Sequence, residues 1–568
     1  MMKNIAYSVF LGLLACASVS AANIPQVQPK LVVQITIDGL RADLIQRYKH
    51  QFGDGGFRYL MDQGTYFTNA NYEHANTETI VGHVSLATGA PPSVHGMVGN
   101  VWFDPSKDRL VYNVEDPNYN MLTKGAGVNK DTEVDPTQKA AKKDGRSPLT
   151  MLSSTFSDEL SIATQGQAKI FSVSVKDRGA ISLGGDNGKA FWFSKSKNQF
   201  VTSNYYYQAY PQWVDAWNQQ DLPARYSDKA WTLSKPENSY TPVVGDGEHK
   251  VNLAGFSKHF PHPYGSTKGK YFGTLLTLSP AGDELTADFA KTLLKEEQLG
   301  QDAITDYLSV SFSSTDYVSH MFGPSTRETE DNLIRLDRTL ADLLNNIDSQ
   351  VGLDNVIIAF SADHGVPEAA PVSQHTGDHD AHYFDKDKLT NPDLFTRLQQ
   401  EFGLGNELIR LYAQPYIYLD IDLIKKHNLS IAKVEHVIAE EMLKIDGVSA
   451  AITRTDIENN NLPQTRISKL VQQNFHPKRS GNIHLVFTSR TYINNMDGLT
   501  IASTHGSPWR YDTHVPVIFA GYKVKSQVIS RAITPYDIAP TLSNILGINL
   551  PSGAIGNVLT EVTRSRLK

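Results

Sequence analysis

Three apolar runs constrain this chain more than any other feature: LVVQITI at 31–37, DYLSVSF at 306–312 and NVIIAF at 355–360. Runs of this length and apolarity suit parallel strands covered on both faces. AKIFSVSV (168–175), IHLVFTS (483–489) and VPVIFAG (515–521) are further strand candidates. Helical patterns lie between several of them, as in ETEDNLIRLDRTLADLLNNI. TPYDIAPTLSNILGI offers Thr534 as an N-cap and Pro535 at the first helical position. Strands alternating with helices specify an α/β fold, a three-layer αβα sandwich with a mainly parallel central sheet.

Two regions break the alternation. Residues 185–290 are rich in Tyr, Trp, Pro, Asn and Lys. Their aromatic group (Tyr205, Tyr206, Tyr207, Trp213, Trp217) suits stacking on a ligand or, more simply, a core of its own. Residues 405–480 read strand, helix, strand through PYIYLDIDLI, SIAKVEHVIAEEMLKI and GVSAAITR. Both read as insertions into one domain spanning 22–568, capping the C-terminal strand ends where open α/β sheets bind ligands.

The N-terminus reads as a signal peptide over 1–21. Lys3 precedes the apolar stretch IAYSVFLGLLACA, and VSA at 19–21 supplies a small-residue cleavage site after Ala21. The stretch is too short to span a bilayer, so stable membrane insertion is not expected. A periplasmic or secreted protein is expected, or a lipoprotein anchored through Cys16, since LLAC resembles a lipobox. Cys16 is the only cysteine, so the processed body has no disulfide and relies on its core, with bound metal as a further aid. The net charge of −7 and the absence of a basic run argue against a nucleic-acid partner.

The residues just past the strands are chemically unusual. Asp38 comes after the first run, Asp316 and His320 after the second, Asp363 and His364 after the third, and His505 and His514 lie in a late segment. Any one of these is ordinary, because an Asp after a strand commonly caps a turn. Together they put carboxylates and imidazoles at one edge of one sheet. Asp316 and His320 are four apart and share a helix face. Such a set suits two divalent metals roughly 4 Å apart. Ligands without thiolate fit zinc, with manganese or iron as alternatives. Thr79 opens the apparent helix TIVGHVSLAT, where free N–H groups suit a phosphate and a metal-bound hydroxyl becomes a nucleophile; Thr77 or Thr79 as a plain N-cap is the simpler alternative. In SVKDRGA, Lys176 and Arg178 lie two apart just past a strand, where an extended segment points both cations one way, toward a dianion.

The ordered set TIDGLR, NTETIVGH, GNVWFD, KDRGA, STDYVSH, SADHG and THGSPWRYDTHVP resembles the alkaline phosphatase superfamily, specifically its PafA-type bacterial branch with a threonine nucleophile. The resemblance runs from about residue 30 to the C-terminus. It implies a monomeric di-zinc phosphomonoesterase acting on small-molecule phosphate monoesters. Asp316, His320 and His505 would hold one zinc; Asp38, Asp363, His364 and the Thr79 Oγ would hold the other. Thr79 would form a phosphothreonine that water then hydrolyses. Asn100, Lys176 and Arg178 would contact the phosphoryl oxygens. The alternative on the same scaffold is a phosphodiesterase or nucleotide pyrophosphatase. A sulfatase is disfavoured, because no Ser-x-Pro-x-Arg or Cys-x-Pro-x-Arg segment is present.

Overall fold

Strand β1 (Leu31–Ile37) is central in a nine-stranded sheet. The other strands are β2 (Thr65–Asn71), β3 (Ile170–Ser174), β4 (Lys189–Ser194), β5 (Gln199–Val201), β6 (Asp306–Phe312), β7 (Val356–Ser361), β8 (His514–Gly521) and β9 (Gln527–Ile529), in the spatial order β9-β2-β8-β7-β1-β6-β3-β4-β5. Only β8 and β5 run against the rest, so the sheet is mainly parallel. Every residue of β1, β6 and β7 is buried, which requires cover on both faces. The helices 280–296 and 327–351 pack together in one group and 79–88, 177–184 and 538–546 belong to another. The computed structural model describes residues 28–245, 247–496 and 498–563; the signal peptide, its cleavage site after Ala21 and Cys16 lie outside them. No described helix is long and apolar enough to cross a membrane.

Register decides where the chemistry lands. Ile37 pairs with Phe312 on β6, and Thr36 with Ser361 on β7. The three strands therefore end level, and Asp38, Asp316 and Asp363 emerge at one edge. The Asp38 N–H donates to the Phe312 carbonyl at 2.9 Å, tying two of those ends together.

Two expectations need correction. The stretch from about 185 does not begin as a cap, because β4 and β5 within it extend the central sheet. Its aromatics are core: Tyr206 and Trp217 are 3 % and 1 % exposed, and the Trp217 Nε1–H donates to Asp288 at 2.8 Å. The run at 483–487 does not join the central sheet. It pairs with 416–419 and 448–453 in a separate four-stranded sheet that also contains 409–413. That sheet and the helix 431–442 share their own core, including Ile417, Ile438, Met442 and Leu485. Apolar runs of five residues look alike whichever sheet claims them.

Candidate active site

Two groups of ligand-type atoms sit at the level strand ends. Asp38, Asp363 and His364 form a fully buried trio, and Asp316, His320 and His505 a second trio that is partly exposed; within each, the ligating atoms lie within 4.8 Å of one another. In the first, His364 Nε2 is 3.5 Å from Asp38 Oδ1 and 3.4 Å from Asp363 Oδ2. In the second, Asp316 Oδ1 is 3.3 Å from His320 Nε2 and 3.4 Å from His505 Nε2. The helix α3 (Ser314–Phe322) supplies the four-residue spacing that brings Asp316 and His320 together. The rings of His364 and His505 stack with centroids 3.5 Å apart, so the trios adjoin.

All three imidazoles are oriented alike. The Nδ1–H of His364 donates to the Gly365 carbonyl at 2.9 Å, that of His320 to Ser503 at 2.8 Å and that of His505 to Thr77 at 2.7 Å. Each ring therefore turns its Nε2 lone pair into the cluster. Burial pushes the His364 pKa down to about 3, which keeps the ring neutral. The carboxylates are not alike, and Asp38 stands apart from Asp316 and from its own neighbour Asp363, which its histidine partners His364 and His83 hold low against the cost of burial. Burial and then Asp363 raise Asp38 well above the usual range. Burial opposes the charge on Asp316 too, but His320 and Lys176 outweigh it and hold that group well below the range.

The residues fit metal. Asp38 Oδ1, Asp316 Oδ1 and His364 Nε2 are buried with no hydrogen-bond partner. Leaving such atoms unpaired costs about 1–3 kcal/mol each, more for charged groups. A divalent cation satisfies lone pairs that no donor reaches. Carboxylates and imidazoles without thiolate form a donor set for zinc, manganese or iron.

Helix α1 (Thr79–Thr88) starts at Thr79, whose side chain is fully buried. Gly82 lets that helix close on the backbone just past β7, because a Cβ there would lie 2.0 Å from the Asp363 carbonyl oxygen. Thr77 is ruled out as the reacting hydroxyl by its contacts. Its Oγ1 donates to the Ser507 carbonyl at 3.0 Å and accepts from the Gly506 and Ser507 N–H groups. Thr79 Oγ1 instead faces Arg178, whose Nη2 donates to it at 3.3 Å.

Lys176 and Arg178 converge here by a different route from the one the sequence suggests. Lys176 is the N-cap of helix α2 (Asp177–Gly184) and Arg178 lies within it, so no extended segment aligns them. Lys176 Nζ pairs with Asp316 Oδ2 at 2.5 Å and Asp38 Oδ2 at 2.8 Å, one carboxylate from each trio. It thus balances charge between them. Arg178 reaches Thr79, with its Nη1 held by Asp135 Oδ2 at 2.7 Å. Asn100 Oδ1 accepts from the Ile80 N–H at 3.1 Å, which leaves its amide N–H groups for the cavity it lines. That cavity measures about 330 Å³ and also meets Arg178, Asp316, His320 and His505. His514 takes no part. Its Nε2 bonds to the Thr68 carbonyl at 3.0 Å, outside both trios.

Sequence reasoning assigns no role to three supporting residues. Glu78 accepts a short hydrogen bond from the Asn100 N–H, and burial raises its pKa to about 7. It positions Asn100. His83 Nδ1 lies 2.9 Å from the Thr79 carbonyl and 3.0 Å from Asp363 Oδ2. Its spacing of four from Thr79 is the signal that could have found it. Asp135 carries none, because it sits in an irregular segment far from Arg178 in sequence.

A parallel sheet with two adjoining carboxylate–imidazole trios and a threonine at a helix N-terminus defines the metallohydrolase-like class of site found in the alkaline phosphatase superfamily. The chain belongs to the type I phosphodiesterase / nucleotide pyrophosphatase family of that superfamily, whose family model matches residues 32–508. It is 33 % identical to alkaline phosphatase PafA of Elizabethkingia meningoseptica, over 94 % of each chain. It is 32 % identical to alkaline phosphatase PhoV of Synechococcus elongatus, over 96 % of each. The crystal structure of wild-type alkaline phosphatase PafA superposes with a TM-score of 0.84 at 31 % identity, covering 94 % of this chain and 99 % of that one.

Proposed function

We propose that the protein is a phosphomonoesterase that holds two divalent metals, zinc by its donor set, and cleaves small phosphate esters through a phosphothreonine at Thr79. The observation that carries the reading is the convergence of Lys176 and Arg178 on the trios and Thr79. A monoester presents a dianionic phosphoryl group, and two fixed cations complement that charge. The named alkaline phosphatases among its relatives support the same reading.

Asp316, His320 and His505 would hold one metal and Asp38, Asp363, His364 and the Thr79 Oγ the other. Bound there, the metals supply Lewis-acid charge for the attacking and leaving oxygens. The chain's own groups do the rest. Arg178 and Asn100 orient the phosphoryl oxygens. Thr79 Oγ forms a bond to phosphorus as the ester P–O bond breaks, and the alcohol departs with a proton. Water then cleaves the Thr79–phosphate bond, releasing phosphate and restoring the hydroxyl. His83 fixes the backbone at Thr79 against Asp363. The signal-type N-terminus supports an activity outside the cytoplasm, and we take the enzyme to act as a monomer.

Comparing kcat/KM for an aryl phosphate monoester and its methyl diester tests the reading. The monoester should dominate, and Lys176→Ala with Arg178→Ala should erase most of that preference. A diester preference that survives both substitutions would move the protein to the phosphodiesterase alternative.

A further inference from the structure

Thr79 and the trios other than His505 lie on helices beside the central sheet or just past its strands, but most of the cavity wall above them does not. Val101 and Leu110 stand on a hairpin formed by 101–104 and 109–112. Tyr412 lies on 409–413, the edge strand of the separate four-stranded sheet. Met496 and Leu499 belong to a second hairpin, 495–496 with 499–500, and Val134 comes from the segment preceding Asp135. All six line the cavity that holds Asn100 and Arg178, and all are half-buried. The phosphoryl-facing groups lie deeper, with Asn100 and Arg178 only 5 % and 3 % exposed.

We infer that this wall is the leaving-group subsite and that it selects phosphate monoesters of apolar alcohols, aryl or arylalkyl, over those of small or polyhydroxylated ones. The inference rests on the phosphomonoesterase reading and specifies its substrate class. With the phosphoryl group against Arg178, the alcohol portion projects between Tyr412, Leu110 and the paired strands 495–496 and 499–500. Half-buried apolar side chains gain most from a ligand that removes their remaining surface from water. Polar cavity groups do occur, Gln414 and Asn495 among them.

Leaving-group acidity must be matched, because aryl esters are intrinsically reactive. Ethyl phosphate, 3-phenylpropyl phosphate and glycerol 3-phosphate are all esters of aliphatic alcohols and meet that need. In the wild-type protein kcat/KM should be roughly tenfold or more higher for the phenylpropyl ester than for the ethyl ester, as burial of a ring predicts. Leu499→Asp and Tyr412→Ser, on different elements, should each reduce the ratio at least threefold. Ratios measured within one preparation cancel any loss of folded protein. Equal kcat/KM for the ethyl and phenylpropyl esters, a preference for glycerol 3-phosphate, or ratios unmoved by both substitutions overturn the inference alone. Hydrolysis of none of the three overturns the phosphomonoesterase reading with it.

Discussion

The two trios use the same chemistry in different surroundings. Asp38, Asp363 and His364 are fully buried, roofed by helix α1 and braced by His83. Asp316, His320 and His505 border the open cavity, with the His320 side chain 20 % exposed. The closed trio is tied to the Thr79 backbone through His83, and the open one forms part of the cavity wall. The difference teaches that one side of this site is built to stay fixed and the other to exchange ligands with solvent.

The largest expected effect tests the closed side. Asp363→Ala should lower kcat/KM on the order of 10⁴-fold or more, with metal content down and not restored by excess zinc. His320→Ala should lose less, and added zinc should recover part of its activity. Equal, irrecoverable losses in both variants would break the contrast. Next comes chelator treatment of the loaded enzyme. Metal should leave in two phases, the first removing about half of it from the open trio; a single phase would show that the trios behave alike. Arg178→Ala should cost roughly 10²–10³-fold in kcat/KM for a monoester, and far less for a diester. His83→Gln, which loosens the tie between the Thr79 backbone and the closed trio, should cost about 10–100-fold. The smallest effect is on stability. Gly82→Ala forces α1 off the Asp363 backbone and should lower unfolding free energy by about 1–3 kcal/mol in chemical denaturation.

The same contrast explains how much of the molecule is legible in the sequence. The strand ends are readable because runs such as 31–37 and 355–360 are mostly apolar and are followed within a few residues by Asp38 and by Asp363-His364. Asp316 and His320 are readable from helical spacing. The cations are recognisable as a pair, but their helical setting is not, because DRGA contains no apolar period to announce the helix that begins at Asp177. Strands β4 and β5 are hidden among aromatics that serve both a sheet and a core. The bracing contacts of Glu78 and Asp135 depend on chain segments brought together only by tertiary packing. No local pattern encodes that Asn100 donates to a side chain 22 positions earlier.

The central claim is that Thr79 carries the phosphoryl group between the two trios. Acid quenching of the loaded enzyme during turnover of a radiolabelled monoester, followed by peptide mapping, tests it directly. The label should appear on the peptide containing Thr79 and vanish in Thr79→Ala. Label on another residue, or label retained by Thr79→Ala, would contradict the account.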